Sequence, residues 1–326
     1  MTAAAPEISV VVPTHGGRFL AATVASIRAQ TFAGWELVIV DDGSRDGTAE
    51  VAAGLAAADA RIRVVTHAHN HGIAAARNAG LAAIAPASRY VAFLDHDDLW
   101  TPDALALLRA ELEARAATSA AHGMADTIDD NGRDLALPDV IRMQEVRLGV
   151  VPRRWRRHKI ARWPDGRPTE LANLAYQDCI VSVGSGLIRR AYLDRVGGFD
   201  ARAQPADDYD MWIRLSRLGG IGFVPHVVLR YRVHDDNTSL RPHPPRGRGT
   251  PYVRYKLATA ADNTPAQRRL VTAGFRAHQR DLLRERWAAL VAAARRRDPA
   301  GALRELAAVG VRAAGFARGR PWSWHE

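Results

Sequence analysis

Short apolar runs alternate with amphipathic stretches along the N-terminal third of the chain. Residues 8–12 form a β-branched run that Pro13-Thr14-His15-Gly16-Gly17 breaks. Residues 19–30 place Leu20, Val24 and Ile27 at helical spacing, which predicts a helix. A second buried strand is predicted at 37–40, ended by Asp41-Asp42-Gly43-Ser44, and Asp46 can cap a helix running through Leu55. Residues 61–65, 73–83 and 90–94 continue the alternation as strand, helix and strand. Strands that are apolar along their whole length and separated by helices predict an α/β fold with a mostly parallel sheet covered on both faces. Ligands of such sheets bind beyond the carboxyl ends of the strands. Here those ends carry Thr14-His15, Asp41-Asp42, Asn70 and Asp95-His96-Asp97, so polar groups gather where the architecture expects a site.

Periodicity lapses between 127 and 180, a stretch with several prolines and the basic run Arg153-Arg154-Trp155-Arg156-Arg157-His158-Lys159. It reads as a long irregular excursion over the site, since structureless loops of that length tend to be functional. Patterning resumes at 184–189, followed by a helix at 207–218 and short strands at 221–224 and 227–231. Residues 242–251 read as a Pro/Gly/Arg-rich linker. Helices are predicted at 265–297 and 300–314, with Leu270, Phe275, Leu282, Leu283, Trp287 and Leu290 supplying apolar contacts. The expected division is a catalytic domain over 1–240, with a nucleotide-binding half at 1–125 and an acceptor half at 126–240. A linker and basic helical appendage at 241–326 would follow.

The chain has 326 residues, 47% hydrophobic and 25% charged, the composition of a globular protein. Its net charge of +10 changes the picture only when divided along the chain. Residues 241–326 hold 18 Lys and Arg against 6 Asp and Glu, leaving 27 against 29 for the rest. The body is close to neutral and the tail is basic. Such a tail suits an anionic membrane surface, a phosphate-bearing acceptor or RNA, and equally suits a solvated arginine-rich helical face. The single cysteine, Cys179, excludes an intrachain disulfide and a cysteine-rich zinc site, and it fits a reducing cytoplasm. No apolar run is long enough to span a bilayer, and residues 1–7 lack the basic start of a secretory signal. The expected location is cytoplasmic, with peripheral contact at the inner face of the membrane.

Three acidic motifs carry candidate chemistry. Asp95 and Asp97 straddle one residue at a strand end, and paired hard oxygens suit Mg²⁺ or Mn²⁺ bridging to a diphosphate. The bland reading is an Asp-rich turn capping the helix that begins near Pro102. Asp42, at the end of the second strand, can accept the imide N–H of a uracil or can serve a glycine-bearing turn. Asp207 and Asp208 open a helix, where carboxylates favour the positive end of the dipole. One of them can also act as a general base toward an acceptor hydroxyl. Arg77 can face a base or phosphate or decorate its helix, and His234 can be a metal ligand, a phosphate contact or an idle surface group.

Taken in order, these segments resemble the family 2 glycosyltransferases of GT-A fold over about residues 7–125 and 180–240. The resemblance rests on Val10-Val11-Val12-Pro13-Thr14, on Ala29-Gln30-Thr31-Phe32 and on Val40-Asp41-Asp42-Gly43-Ser44-Arg45-Asp46-Gly47-Thr48. It continues through Asn70-His71-Gly72-Ile73-Ala74-Ala75-Ala76-Arg77-Asn78-Ala79-Gly80 and Phe93-Leu94-Asp95-His96-Asp97-Asp98-Leu99-Trp100. Val196-Gly197-Gly198-Phe199-Asp200, Asp207-Asp208-Tyr209-Asp210-Met211-Trp212 and Tyr231-Arg232-Val233-His234 complete it. The resemblance implies an inverting transferase of the hexosyl or N-acetylhexosaminyl type, acting on a nucleotide-sugar donor, UDP-sugar first, with a divalent cation. Pro13 and His15 match the first-loop contacts to the base, Asp42 the uracil-binding acid, and Asn70 with Arg77 further base-side contacts. Asp95 and Asp97 match the family's DxD, the first near ribose and the last on the metal, and His234 matches a histidine that approaches the metal. Asp208 matches the catalytic base, with Asp207 beside it, and Gly184-Ser185 would lie near the donor sugar.

This sequence departs from the family pattern at His15-Gly16, where Tyr-Asn is usual, and at Asp207, where Glu is usual. Residues 127–180 and 241–326 match nothing diagnostic, so the acceptor (glycan, lipid-linked or small molecule) is left open. Two competing classes are a nucleotidyltransferase and an RNA-binding module working through the tail. Residues 13–18 make a poor phosphate-gripping loop, and the tail lacks the interleaved aromatics of a nucleic-acid surface. No nucleic-acid partner is expected.

Overall fold

In the computed structural model, residues 5–147, 167–237 and 249–301 apart from 297 are described, together with 303 and 306. The alternation read from the sequence is present. The order is β1 (Ile8–Thr14), α1 (Leu20–Arg28), β2 (Trp35–Asp41), α2 (Thr48–Ala58), β3 (Ile62–Thr66), α3 (Ile73–Ala83) and β4 (Tyr90–Phe93). β1, β2 and β4 are buried at every position, as strands covered on both faces must be. β1 runs two residues further than the apolar run, because Pro13 pairs in register with Val40 and Thr14 with Asp41. Strands β3-β2-β1-β4 pair in parallel, in that spatial order. Helix α3 lies hard against the sheet at Gly80, where an added Cβ would stand 2.3 Å from Val11 Cγ1. Only glycine fits that approach.

The second half is mixed. β5 (Leu99–Trp100) and α4 (Ala104–Ala114) lead into β6 (Ala120–Ile128), then β7 (Asp134–Leu135), α5 (Pro138–Arg147) and α6 (Leu171–Leu174). β8 (Gly186–Arg189), α7 (Arg190–Val196), α8 (Asp207–Ser216) and β9 (Ile221–Arg232) follow. The sheet continues as β4-β8-β6-β9-β5, with β7 paired to β6, and β8 is antiparallel to both its neighbours. Two expectations change here. The excursion from 127 to 180 is structured in its described parts, by β7, α5 and α6, while the basic run 153–159 lies outside the described residues. The two short strands at 221–224 and 227–231 are one strand, β9, whose register against β6 shifts near Met124. Pro225 and His226 sit exposed at that irregularity, the place in a sheet where proline is tolerated.

The C-terminal region is not a detached appendage where it is described. Helix α9 (Gly249–Thr259) begins inside the segment read as a linker. Its Tyr252, Val253 and Leu257 join the same buried cluster as Trp212 and Met211. Arg254 is buried and donates to the carbonyls of Ala175 and Tyr176, and Lys256 bridges Asp200 and Asp210 at 3.0 and 2.9 Å. Helix α10 (Pro265–Arg295) starts with a capping box between Thr264 and Gln267 and buries Val271 and Phe275. Trp287, expected to make apolar contacts, is 58% exposed. The helix predicted at 300–314 lies largely outside the described residues, as does 242–248. Among the described residues, no helix is long and apolar enough to cross a membrane.

Candidate active site

The ends of β1, β2 and β3 and the loops that follow them form one wall of an open cleft of about 510 Å³. His15, Gly16, Gly43, Ser44, Arg45, Asp46, His69 and Asn70 line it. Gly43 has φ +74° and lies so close to His69 that an added Cβ would meet its carbonyl carbon at 2.6 Å. The turn after β2 is therefore pressed against the loop after β3, which brings residues 42 and 67–72 together. His15 is exposed and its Nδ1 lies 3.0 Å from the Asp42 carbonyl oxygen, while Pro13 is buried inside β1, behind the loop that was expected to present it. Asn70 is exposed at the cleft and accepts the Gly72 N–H at 2.9 Å.

Asp42 is only 3% exposed. Its carboxylate accepts the N–H groups of His71 (3.1 Å) and Gly72 (2.8 Å), and His67 Nδ1 stands 2.7 Å away. Burial pushes its pKa up, but those hydrogen bonds and the nearby His67 outweigh it and hold the group below the usual carboxylate value. Much of its acceptor capacity is thus met from within the protein.

Arg77, expected at the base side, is buried and donates to Asp95 Oδ1 and to Asp207 Oδ2, each at 2.7 Å. Burial alone would lower its pKa, yet the charges of Asp95, Asp207 and Asp208 raise it further. Helix α3 places Arg77 there because Ala74, Arg77 and Gly80 share its sheet-facing stripe. The expected three-ligand metal set is correspondingly only partly assembled. His234 Nε2 lies 2.9 Å from Asp97 Oδ2, a carboxylate–imidazole pair of a kind that suits Mn²⁺. Asp95 is drawn to Arg77 instead, and the three do not gather within 4.8 Å of one another. Phe19 packs on the His234 ring at 5.1 Å, and the Arg232 guanidinium lies 4.5 Å from the Phe19 ring centre. Below them, Asp98 is fully buried, accepts the Arg232 N–H at 2.9 Å and keeps its Oδ2 without a partner. Burial, then the charges of Asp97 and Asp95, raise its pKa well above the ordinary range.

The two acids that open α8 are treated differently. Asp207 is buried in the ion pair with Arg77. Asp208 is half-buried and accepts only the N–H of Tyr209, at 2.7 Å, among the hydrogen bonds resolved for it. Burial first, then the charge of Asp207, push its pKa up to about 7 against the pull of Arg77. Those effects outweigh the helix dipole, which favours the ionised form. Asp178 is raised to about 8 by burial and by the charge of Asp208. It sits in the stretch read as irregular, where no pattern singled it out. Gly184 and Ser185, expected beside the donor sugar, are buried in a 3-10 turn packed against Leu229 and Leu94. The Gly184 carbonyl accepts the Trp100 indole N–H at 2.7 Å, and Ser185 Oγ donates to the Ser182 carbonyl at 3.1 Å. Both are turned to packing. His67, His71, Asp98 and Asp178 were given no role from sequence, since lone histidines and acids in turns carry no spacing signal.

The sequence profile of glycosyl transferase family 2 matches residues 9–197. TuaG of Bacillus subtilis, a glycosyltransferase assigned to teichuronic acid biosynthesis, is 42% identical over 106 residues, which is 32% of this chain and 41% of that protein. The chain thus spans less than half the length of TuaG and of several other curated relatives. Residues 1–349 of S. aureus TarS, solved with UDP-GlcNAc, superpose with a TM-score of 0.64 at 16% identity, covering 96% of this chain and 92% of that one. The Pyrobaculum calidifontis mannosyltransferase PcManGT, solved with GDP-Man and Mn²⁺, superposes at 0.57 with 20% identity, covering 97% and 80%. At those identities the two structures share the fold, a GT-A architecture. The profile spans more than half of the sequence, and the chain belongs to glycosyl transferase family 2.

Proposed function

We propose that this chain transfers a sugar from a nucleotide-sugar donor to an acceptor hydroxyl with inversion at the anomeric carbon, and that Asp208 is the general base. The observation that carries the proposal is the split between the two adjacent acids of α8. Asp207 is neutralised by Arg77, and Asp208 is left half-buried with a pKa raised to about 7, near the operating pH where a base works best. The acceptor oxygen attacks the anomeric carbon as its proton passes to Asp208, and the bond to the nucleoside diphosphate breaks on the opposite face. A single displacement inverts the centre. Asp207 and Arg77 fix the start of α8 and so the direction of the Asp208 side chain.

Asp97 and His234, with Asp95 if it leaves Arg77, are the residues proposed to hold Mn²⁺ or Mg²⁺. Such an ion supplies charge compensation for the leaving diphosphate. The donor reading favours uridine, supported by the UDP-GlcNAc complex of TarS, while PcManGT with GDP-Man is the reason to test guanosine beside it. His15, Asp42 and Asn70 would contact the base. The described body and its C-terminal helices form the catalytic unit, and the remaining basic residues of 241–326 would touch an anionic membrane face or a phosphate-bearing, lipid-linked acceptor. The test is a screen of UDP-, GDP- and dTDP-sugars with Mn²⁺, read by nucleoside diphosphate release, followed by NMR of the transferred sugar. Retained configuration would refute the single displacement, and release from GDP-sugars alone would refute the uridine reading.

A further inference from the structure

We propose a second cation site, for a borderline transition metal such as Zn²⁺, formed by Asp42, His67 and His71 at the nucleobase end of the cleft. Among the described residues, this is the group of His and Asp side chains whose ligand atoms all lie within 4.8 Å of one another. Its members come from the end of β2, the residue after β3 and the turn before α3, so the fold and not one local sequence brings them together. His67 Nδ1 stands 2.7 Å and His71 Nδ1 3.7 Å from the same oxygen, Asp42 Oδ1. Those distances straddle the edge, about 3.3 Å, of a tetrahedron built on Zn–N and Zn–O bonds of about 2.0–2.1 Å. Small side-chain rotations close the set. The two rings meet edge to face with centres 4.8 Å apart.

The surroundings suit an ion. The carboxylate is buried and aimed by the backbone N–H groups of His71 and Gly72, the outer-shell support that orients a metal-binding acid. Two imidazoles with one carboxylate select Zn²⁺, Co²⁺ or Ni²⁺ over Mg²⁺. To bind the ion His67 would present Nδ1, the nitrogen that now faces Asp42, with its ring proton on Nε2. The His71 side chain is 54% exposed, so the fourth position opens to solvent and can take water. An ion there occupies the acid proposed above to meet the base, and would hinder nucleotide entry. The site itself goes beyond that reading, and its test uses no nucleotide.

The test is calorimetric titration of Zn²⁺ alone into full-length Asp97→Asn protein, which lacks the proposed catalytic cation site, and into the same protein carrying His71→Ala. The exposed side chain makes His71→Ala a mild change to the fold. The expected result is one Zn²⁺ per chain, weakened by about 10–100-fold or more in the His71→Ala protein. Co²⁺ substitution should give visible absorption that His67→Gln also removes. No Zn²⁺ binding by the Asp97→Asn protein, or binding that His71→Ala leaves unchanged, would overturn the proposal.

Discussion

The most discriminating single substitution is Arg77→Met. From sequence, Arg77 could face a base or phosphate or decorate its helix, and the family resemblance implied a base-side contact; the structure buries it between Asp95 and Asp207. Methionine keeps the helix and much of the volume but strands two carboxylates. Asp207, with 3% side-chain exposure, has no solvent to turn to, while Asp95 at 23% can recover part of its hydration. Removing one partner of a buried pair costs about 3–5 kcal/mol, and most of that falls on Asp207. Unfolding entropy of about 2.1 cal/mol/K per residue makes the loss a fall in melting temperature of about 4–7 °C for a chain of 326 residues. The assay is thermal unfolding of wild type, Arg77→Met, Asp207→Asn and the double variant. Adding Asp207→Asn to Arg77→Met should restore part of the loss, because it removes the stranded charge. Were Arg77 a nucleotide contact instead, Arg77→Met would melt like wild type without ligand and lose UDP affinity. That outcome would refute the assignment of Arg77 to the framework.

Five further results are expected. Asp208→Asn should lower transfer by about 10²–10⁴-fold while donor binding persists, as removal of a general base does. In the wild type, transfer should rise with pH through about 7, since Asp208, as the proposed base, would act only when ionised. The same raised pKa makes the fold lose stability as pH climbs from the ordinary carboxylate range to about 7, because the folded state keeps a proton that the unfolded chain releases, and melting curves across that window check the sign. Asp97→Asn should abolish metal-dependent turnover, and full activity of the wild type in excess chelator would contradict the cation assignment. A chain ending at residue 240 should aggregate, since it sheds Tyr252, Val253 and Leu257, each worth about 1.5–3 kcal/mol of burial, together with the buried Arg254. A soluble, cooperatively melting truncation would show that α9 is dispensable.

The sheet was legible wherever strands are apolar runs. Residues 8–12, 37–40 and 90–94 could only be buried, and the helices between them fixed parallel pairing. β6 was missed because Ala120-Ala121-His122-Gly123-Met124-Ala125-Asp126 offers small residues and no β-branched run, so its strand character comes from β8 and β9 on either side. α9 was missed because Gly249, Thr250 and Pro251 read as punctuation, although proline is at ease in a first helical turn. The site's acids were visible as acids, and their partners were not. Arg77 and Asp207 lie 130 positions apart, and no local spacing announces such a contact. The burial that raises Asp98, Asp178 and Asp208 is likewise a property of the assembled cleft.

Placing Asp207 where the family usually has Glu makes sense only in that assembled cleft. An uncompensated acid next to the base would add its full charge repulsion to a pKa that burial already raises, and a base that is not ionised near neutral pH is useless. Were Asp207 wholly neutralised, burial alone would be left to raise the base. Arg77 bridges the two extremes, because it binds Asp207 and Asp95 directly and reaches Asp208 only through its field. The shorter Asp side chain reaches the Arg77 guanidinium at 2.7 Å. In the proposed mechanism the two neighbouring carboxylates would have different duties, one locked in an ion pair and one poised near neutrality, which is how paired acids divide structural from proton-transfer work. Arg77→Lys should separate these duties experimentally. A lysine keeps the charge but loses the fork that holds two acids at once. If the ion-pair frame sets the base, that variant should shift the pH profile of transfer more than it shifts donor affinity.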